Sequence, residues 1–147
     1  KAIQVKAALE IGRRLSALTD DSRPVIRTAR DVERLLGASF RDLPQEEFRI
    51  LLLNTRNEVT YQHVVSRGTV NASLVHPREV FREAIRRASH AIICAHNHPS
   101  GDPTPSAEDI AITKRLVEAG EVIDIRVLDH VIIGDGRCLS MRERGLM

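Results

Sequence analysis

Residues 96–109 read His-Asn-His-Pro-Ser-Gly-Asp-Pro-Thr-Pro-Ser-Ala-Glu-Asp, and they hold most of the chemistry this chain can offer. His96 and His98 are one residue apart, so on an extended segment both side chains leave the same face. Asp109 follows past a turn built from Gly101, Pro99, Pro103 and Pro105, near the start of an expected helix. Two imidazole nitrogens and one carboxylate oxygen are three ligands of the kind a catalytic zinc uses, with a fourth position left for water. A cation held this way lowers the pKa of that water from about 15.7 toward about 7, so hydroxide exists at neutral pH. Ser106 stands one helical turn before Asp109, and the two can face one point. Its hydroxyl could donate to the oxyanion of a tetrahedral intermediate, a contribution of about 3 kcal/mol in comparable sites. It could equally cap the helix, since Ser followed three residues later by an acid is close to a capping box. The two readings stand side by side.

Positioning these groups requires a strand before them and a helix after them. Ala91 to Ala95 is a short, continuous apolar run, as expected of a central strand buried on both faces. It delivers the two histidines at its C-terminal end, where open α/β sheets place their sites. Ser106 to Ala119 is the expected helix, with Gly120 closing it. Further on, Ile123 to Leu128 and His130 to Ile133 read as strands, and a turn at residues 134–137 leads to a last strand, Cys138 to Met141. Upstream, Phe48 to Asn54 and Val59 to Ser66 form an antiparallel hairpin. Pro77 opens a helix whose apolar face is Val80, Phe81, Ala84, Ile85 and Ala88. Thr28 caps a short helix through Leu36, ended by Gly37. Ile3 to Leu18 reads as an amphipathic helix, and residues 20–24 as a linker. The fold class is α/β: a mixed β-sheet flanked by helices.

The motif His-x-His, seven residues, Ser, two residues, Asp resembles that of the JAMM (MPN+) metalloisopeptidases, matched by His96, His98, Ser106 and Asp109. The segments 95–102, Val75-His76-Pro77-Arg78-Glu79-Val80-Phe81 and Asp129-His130-Val131-Ile132-Ile133-Gly134 resemble the bacterial RadC family in particular, from about Thr28 to the C-terminus. Residues 1–14 look like the tail of the helix-hairpin-helix region that precedes this domain in RadC proteins. The resemblance therefore implies a leader and linker over residues 1–27 and a JAMM/MPN-like domain, with cytidine-deaminase-like architecture, over 28–147. It implies a fragment lacking most of the N-terminal region, a Zn2+ cofactor, and an upstream glutamate as general base. Glu46 and Glu47 are the candidates. In the RadC pattern the acid precedes Phe by two residues, which favours Glu46, and Glu47 would point to the opposite strand face. Where many eukaryotic JAMM domains carry Gly three residues after the base, this chain has Arg49.

Composition bounds the alternatives. With 42% hydrophobic and 29% charged residues the chain is that of an ordinary globular protein. It has no Trp and only 3% aromatics, so its core must be aliphatic. The net charge of +2 is too small to argue for nucleic-acid binding, and Arg13-Arg14 and Arg86-Arg87 read as solvated helix faces. Two cysteines make no disulfide framework, and Cys94 reads as a small buried hydrophobe. No signal-peptide pattern and no long apolar run is present; the cysteine usage and the RadC resemblance imply a cytoplasmic protein with no membrane partner. His63, His76 and His90 read as structural, His76 as a helix cap; His130 could stand behind the ligands. Asp102 reads as a bystander.

The expected activity is zinc-dependent hydrolysis of a peptide or isopeptide bond in an unknown protein substrate. The rival is a DNA-repair-associated accessory protein that meets DNA through the N-terminal region and processes protein or nucleic acid at the JAMM site. A nuclease would call for more acidic ligands and two metals. A nucleobase deaminase would need His-x-Glu and Pro-Cys-x-x-Cys, and neither occurs.

Overall fold

The computed structural model describes residues 1–19 and 22–147, without the side chains of 16–19. Nine elements follow in order: α1 (Ala2–Thr19), α2 (Ala29–Arg41), β1 (Glu47–Leu53), β2 (Val59–Arg67), α3 (Pro77–Arg86), β3 (Ala91–Asn97), α4 (Ala107–Ile123), β4 (Arg126–Ile133) and β5 (Cys138–Ser140). The expected helix over residues 3–18 is α1, whose Ile3, Ile11 and Leu15 are all more than half exposed. Asp20 and Asp21 of the expected linker lie outside the described residues.

The five strands form one mixed sheet in the order β2-β1-β3-β4-β5. Only β3 and β4 run parallel, joined by the α4 crossover. Alternation along the strands sends one set of side chains to each face. Phe48, Ile50, Leu52, Ile92 and Cys94 pack against Val80 and Phe81 of α3 and Ile112 and Leu116 of α4. Leu51, Leu53, Ile93, Ala95 and Val131 pack on the other face against Val32, Leu36 and Phe40 of α2. β3 is buried along its whole length, as its apolar run predicts.

Several boundaries differ from the sequence reading. Gly37 does not end α2, which continues to Arg41. Burying Phe40 in step with Val32 and Leu36 outweighs the cost of about 1 kcal/mol for a helical glycine. Gly120 does not end α4 either; the helix runs to Ile123 and closes on Asp124 at φ 57°. Gly120 serves close packing: a Cβ there would lie 2.5 Å from the Ile125 carbonyl oxygen. The two strands expected around residue 129 are one strand, β4, and Ile123 belongs to the helix before it. A register shift in β4 pairs Ile92 with Val127 but Ile93 with Asp129, leaving Leu128 as the extra residue of a bulge. The bulge resets the alternation, so Val127 and His130, three residues apart, share one face.

Candidate metal centre

His96 follows Ile92 and Cys94 in parity, so it emerges on the α4 side at the end of β3, and His98 continues that parity just beyond the strand. Ser106 and Asp109 meet at the start of α4. The Ser106 Oγ accepts the Asp109 N–H at 3.0 Å, and Asp109 Oδ2 accepts the Ser106 N–H at 2.8 Å. This reciprocal cap holds the Asp109 carboxylate at the mouth of the helix. There the His96 and His98 Nε2 atoms stand 2.9 Å apart, and each lies 3.4 Å from an Asp109 oxygen. His96, His98 and Asp109 form the one His/Cys/Asp/Glu group among the described residues spaced to hold a metal ion. Ligand bonds of about 2.0–2.1 Å in a tetrahedron put donor atoms about 3.3 Å apart. The two imidazole–carboxylate separations, from His96 to Oδ1 and from His98 to Oδ2, match that edge, and the separation between the two imidazoles is shorter.

Charge is arranged to match. Burial would raise the Asp109 carboxyl, but the two imidazoles beside it outweigh burial and hold the group well below the usual carboxylate range. Asp109 raises His98 in return. The other ring nitrogens face inward: His98 Nδ1 lies 2.8 Å from the Asp102 carbonyl oxygen, and His96 Nδ1 lies 2.7 Å from His130 Nε2. Both partners leave the Nε2 atoms free for the shared focus. Asp102 thus contributes its backbone, while its carboxylate accepts from Thr104 within the loop. The loop is held by the His98 N–H donating to Ile133 O at 2.9 Å and the Asp135 N–H donating to Gly101 O at 3.0 Å.

Glu46 and Glu47 separate by parity. Phe48 pairs with His96 across β1 and β3, and their rings stack with centroids 6.0 Å apart. Glu46 shares the parity of Phe48, and its charge acts on His98. Its Oε2 accepts the Val70 N–H at 2.8 Å. Glu47 is buried and engaged by Arg49 at 2.6 Å and Arg67 at 3.1 Å. Asn97, the central residue of His-x-His, ties the two segments together. Its Oδ1 accepts the Glu47 N–H at 2.7 Å and its Nδ2 donates to Gln45 O at 3.1 Å, bracketing Glu46. Sequence reasoning missed Asn97; a polar residue at the end of an otherwise apolar buried strand was the available signal. Thr113 was missed as well, though it stands one turn beyond Asp109 on the same face of α4. Beside His98 a groove of about 650 Å³ opens between Arg30, Arg34, Gly37 and Arg41 of α2 and the Gly101 and Asp135 loops.

His76 caps α3, its Nδ1 accepting the Arg78 N–H. His63 sits half-buried in β2, and His90 is exposed just before β3. Cys94 and Cys138 are free; burial pushes the Cys138 thiol up to about 11. No helix among the described residues is long and apolar enough to cross a membrane.

The sequence model of the RadC-like JAB domain family matches residues 26–146. The chain belongs to the RadC family. Its relatives include a "UPF0758 protein" of Moorella thermoacetica, 60% identical over 147 residues, all of this chain and 64% of the relative. Another, of Desulforamulus reducens, is 56% identical over all of this chain and 65% of its own length. A third, "UPF0758 protein GWCH70_2550" of Geobacillus sp., is 52% identical over 99% of this chain and 64% of the relative. The chain thus spans a little under two thirds of the RadC-family proteins it matches. The mixed five-stranded sheet with its helices is consistent with a JAB/MPN-like fold.

Proposed function

We propose that this RadC-family chain is a zinc-dependent metallohydrolase that cleaves a peptide or isopeptide bond in a protein substrate, in the cytoplasm. One observation carries the reading: His96, His98 and Asp109 each offer a ligand atom within 4.8 Å of the others, on the same sheet face as a half-buried glutamate. Zinc fits that donor set better than magnesium or calcium, which take oxygen ligands. Zinc bound there would supply Lewis acidity, polarising a carbonyl and acidifying water.

The chain's own residues would do the rest. Glu46, with Oε2 taken by the Val70 N–H, keeps Oε1 available to accept a proton from the attacking water. It would then return the proton to the departing amine nitrogen, a transfer worth on the order of 10²–10⁴ in rate. Ser106 caps α4 with an oxygen lone pair, which leaves its O–H able to donate to a developing oxyanion. The cap and the catalytic role are therefore compatible. The groove beside His98 offers a substrate segment a path to the site.

The test is zinc loading followed by a screen of fluorogenic peptide and isopeptide amides. His98→Ala should lose bound zinc by elemental analysis, and Glu46→Gln should keep zinc and lose turnover. Full turnover by the Glu46 variant, or one retained zinc equivalent in the His98 variant, would refute the reading. Cleavage of nucleic acid instead of amides would favour the repair-associated alternative.

A further inference from the structure

We propose that His130, anchored by Thr113, is a positioning residue that dictates the tautomer and ring plane of His96. This rests on the reading that His96, His98 and Asp109 hold a metal. Four groups form one chain. His96 Nδ1 lies 2.7 Å from His130 Nε2, His130 Nδ1 lies 2.6 Å from Thr113 Oγ1, and Thr113 Oγ1 donates to the Asp109 carbonyl at 2.6 Å. His96, His130 and Thr113 are fully buried. Bulk solvent touches none of the three side chains.

The direction of the chain follows from its end. The Asp109 carbonyl only accepts, and so does the Met141 sulfur, 3.5 Å from the same hydroxyl. Thr113 must spend its single proton on that side, so its oxygen accepts from His130 Nδ1–H. A neutral His130 then presents a bare Nε2, which accepts from His96 Nδ1–H. The proton of His96 is thereby placed away from Nε2, and the Nε2 lone pair is left facing His98 and Asp109. A backbone carbonyl thus sets the state of a ring three links away.

The architecture serves this arrangement. The bulge at Leu128 turns His130 onto the face of His96. Phe48 seals the pair, its ring 5.2 Å from His130 and stacked on His96. Helix α4 supplies Asp109 from its first turn and Thr113 one turn later. One rigid element therefore sets both the carboxylate and the support of the opposing imidazole. Carboxylates or backbone carbonyls commonly orient metal-binding histidines; here a second imidazole does so.

Three variants of the full chain test this: Thr113→Val, which keeps shape and removes the hydroxyl, His130→Leu, and His130→Gln, which restores an acceptor toward His96. The readouts are the His96 tautomer, by long-range ¹H–¹⁵N NMR of metal-free protein, and zinc affinity, by competition with a chromogenic chelator. The parent should show His96 as Nδ1–H. Thr113→Val and His130→Leu should give mixed tautomers and zinc binding about 10- to 100-fold weaker. His130→Gln should recover most of both. An Nδ1–H tautomer and a zinc Kd unchanged in folded Thr113→Val and His130→Leu would overturn the proposal. So would a parent His96 protonated on Nε2. If the parent binds no zinc yet its tautomer shifts in the variants, the relay stands and the metal reading falls.

Discussion

Gly134→Ala tests whether the end of β4 clamps the ligand loop. A Cβ on Gly134 would lie 2.2 Å from the Gly101 carbonyl oxygen, 2.9 Å from its carbon and 3.0 Å from Pro103 Cδ. An ordinary contact requires about 1 Å more, and the obstructing atoms are backbone, so the loop must move. That same oxygen accepts the Asp135 N–H at 3.0 Å and Arg137 Nη2 at 3.3 Å. A shift of about 1 Å carries the first bond beyond hydrogen-bond length. Overpacking costs about 1–3 kcal/mol and the lost bond about 1 kcal/mol more. Urea unfolding should therefore show a loss of about 2–4 kcal/mol. The loop also holds the Asp102 carbonyl against His98 Nδ1, so zinc affinity should fall by about 10-fold or more, as for other disturbed ligand supports. Gly136→Ala is the control. Gly136, unlike Gly134, lies at positive φ, 62°, and nothing stands within 4 Å of its Cβ position. It should cost about 1–2 kcal/mol of backbone strain and leave zinc binding unchanged. A Gly134 variant within 0.5 kcal/mol of the parent, with parental zinc affinity, would refute the clamp.

The two helical glycines should respond with opposite signs. Gly37→Ala, whose Cβ would meet only Glu33 Cγ at 3.8 Å, should stabilise by about 0.5–1 kcal/mol in urea unfolding. Gly120→Ala should destabilise by about 1–3 kcal/mol because it meets a backbone carbonyl; the same sign for both would contradict the packing described. Ser66 Oγ is buried without a partner among the described residues, so Ser66→Ala should be neutral or stabilise by up to about 1 kcal/mol in the same assay. Asp109 carries a depressed pKa, so its ionised form contributes stability that is full above the unfolded value of about 3.9 and fades as pH falls through the folded one. In chelator, the stability gap between the parent and Asp109→Asn should shrink as pH drops below about 4; a gap constant from pH 6 to pH 3 would contradict this.

The convergence of the candidate site was legible because it is local. His96, His98, Ser106 and Asp109 lie within fourteen residues, and the period of two along a strand and one helical turn suffice to converge them. The errors share a cause. Gly37 and Gly120 both looked like helix ends, since glycine favours such sites, yet one tolerates a side chain and the other sits against Ile125. Only the neighbouring backbone distinguishes them, and no local pattern records it. The break at residue 129 is of the same kind. A strict period of two sets Val127 and His130 on opposite faces, so the segment looked like two strands. Burying both on the α4 side requires the bulge, because His130 must reach His96 while Val127 fills the core.

Glu46 shows how far a non-local group can be placed from sequence. Its distance from His96 in sequence is fifty residues, and no spacing rule spans it. The RadC resemblance points to Glu46, and parity gives the physical reason: β1 pairs antiparallel with β3 so that Phe48 meets His96. Any acid two residues before Phe48 then lies on the ligand face, and any acid one before it does not. Parity alone would fail if the strand frayed at its first residues. Asn97 prevents that, bonding to the residues on either side of Glu46 from within the His-x-His segment. The same three residues that present two imidazoles thus also hold the glutamate backbone, and this couples candidate ligands and candidate base in one unit. Asn97→Ala should accordingly leave zinc affinity within a few-fold of the parent while lowering any hydrolytic turnover by 10-fold or more, roughly what a misplacement of 1 Å costs. Equal losses of zinc binding and turnover would show instead that Asn97 supports the strand as a whole.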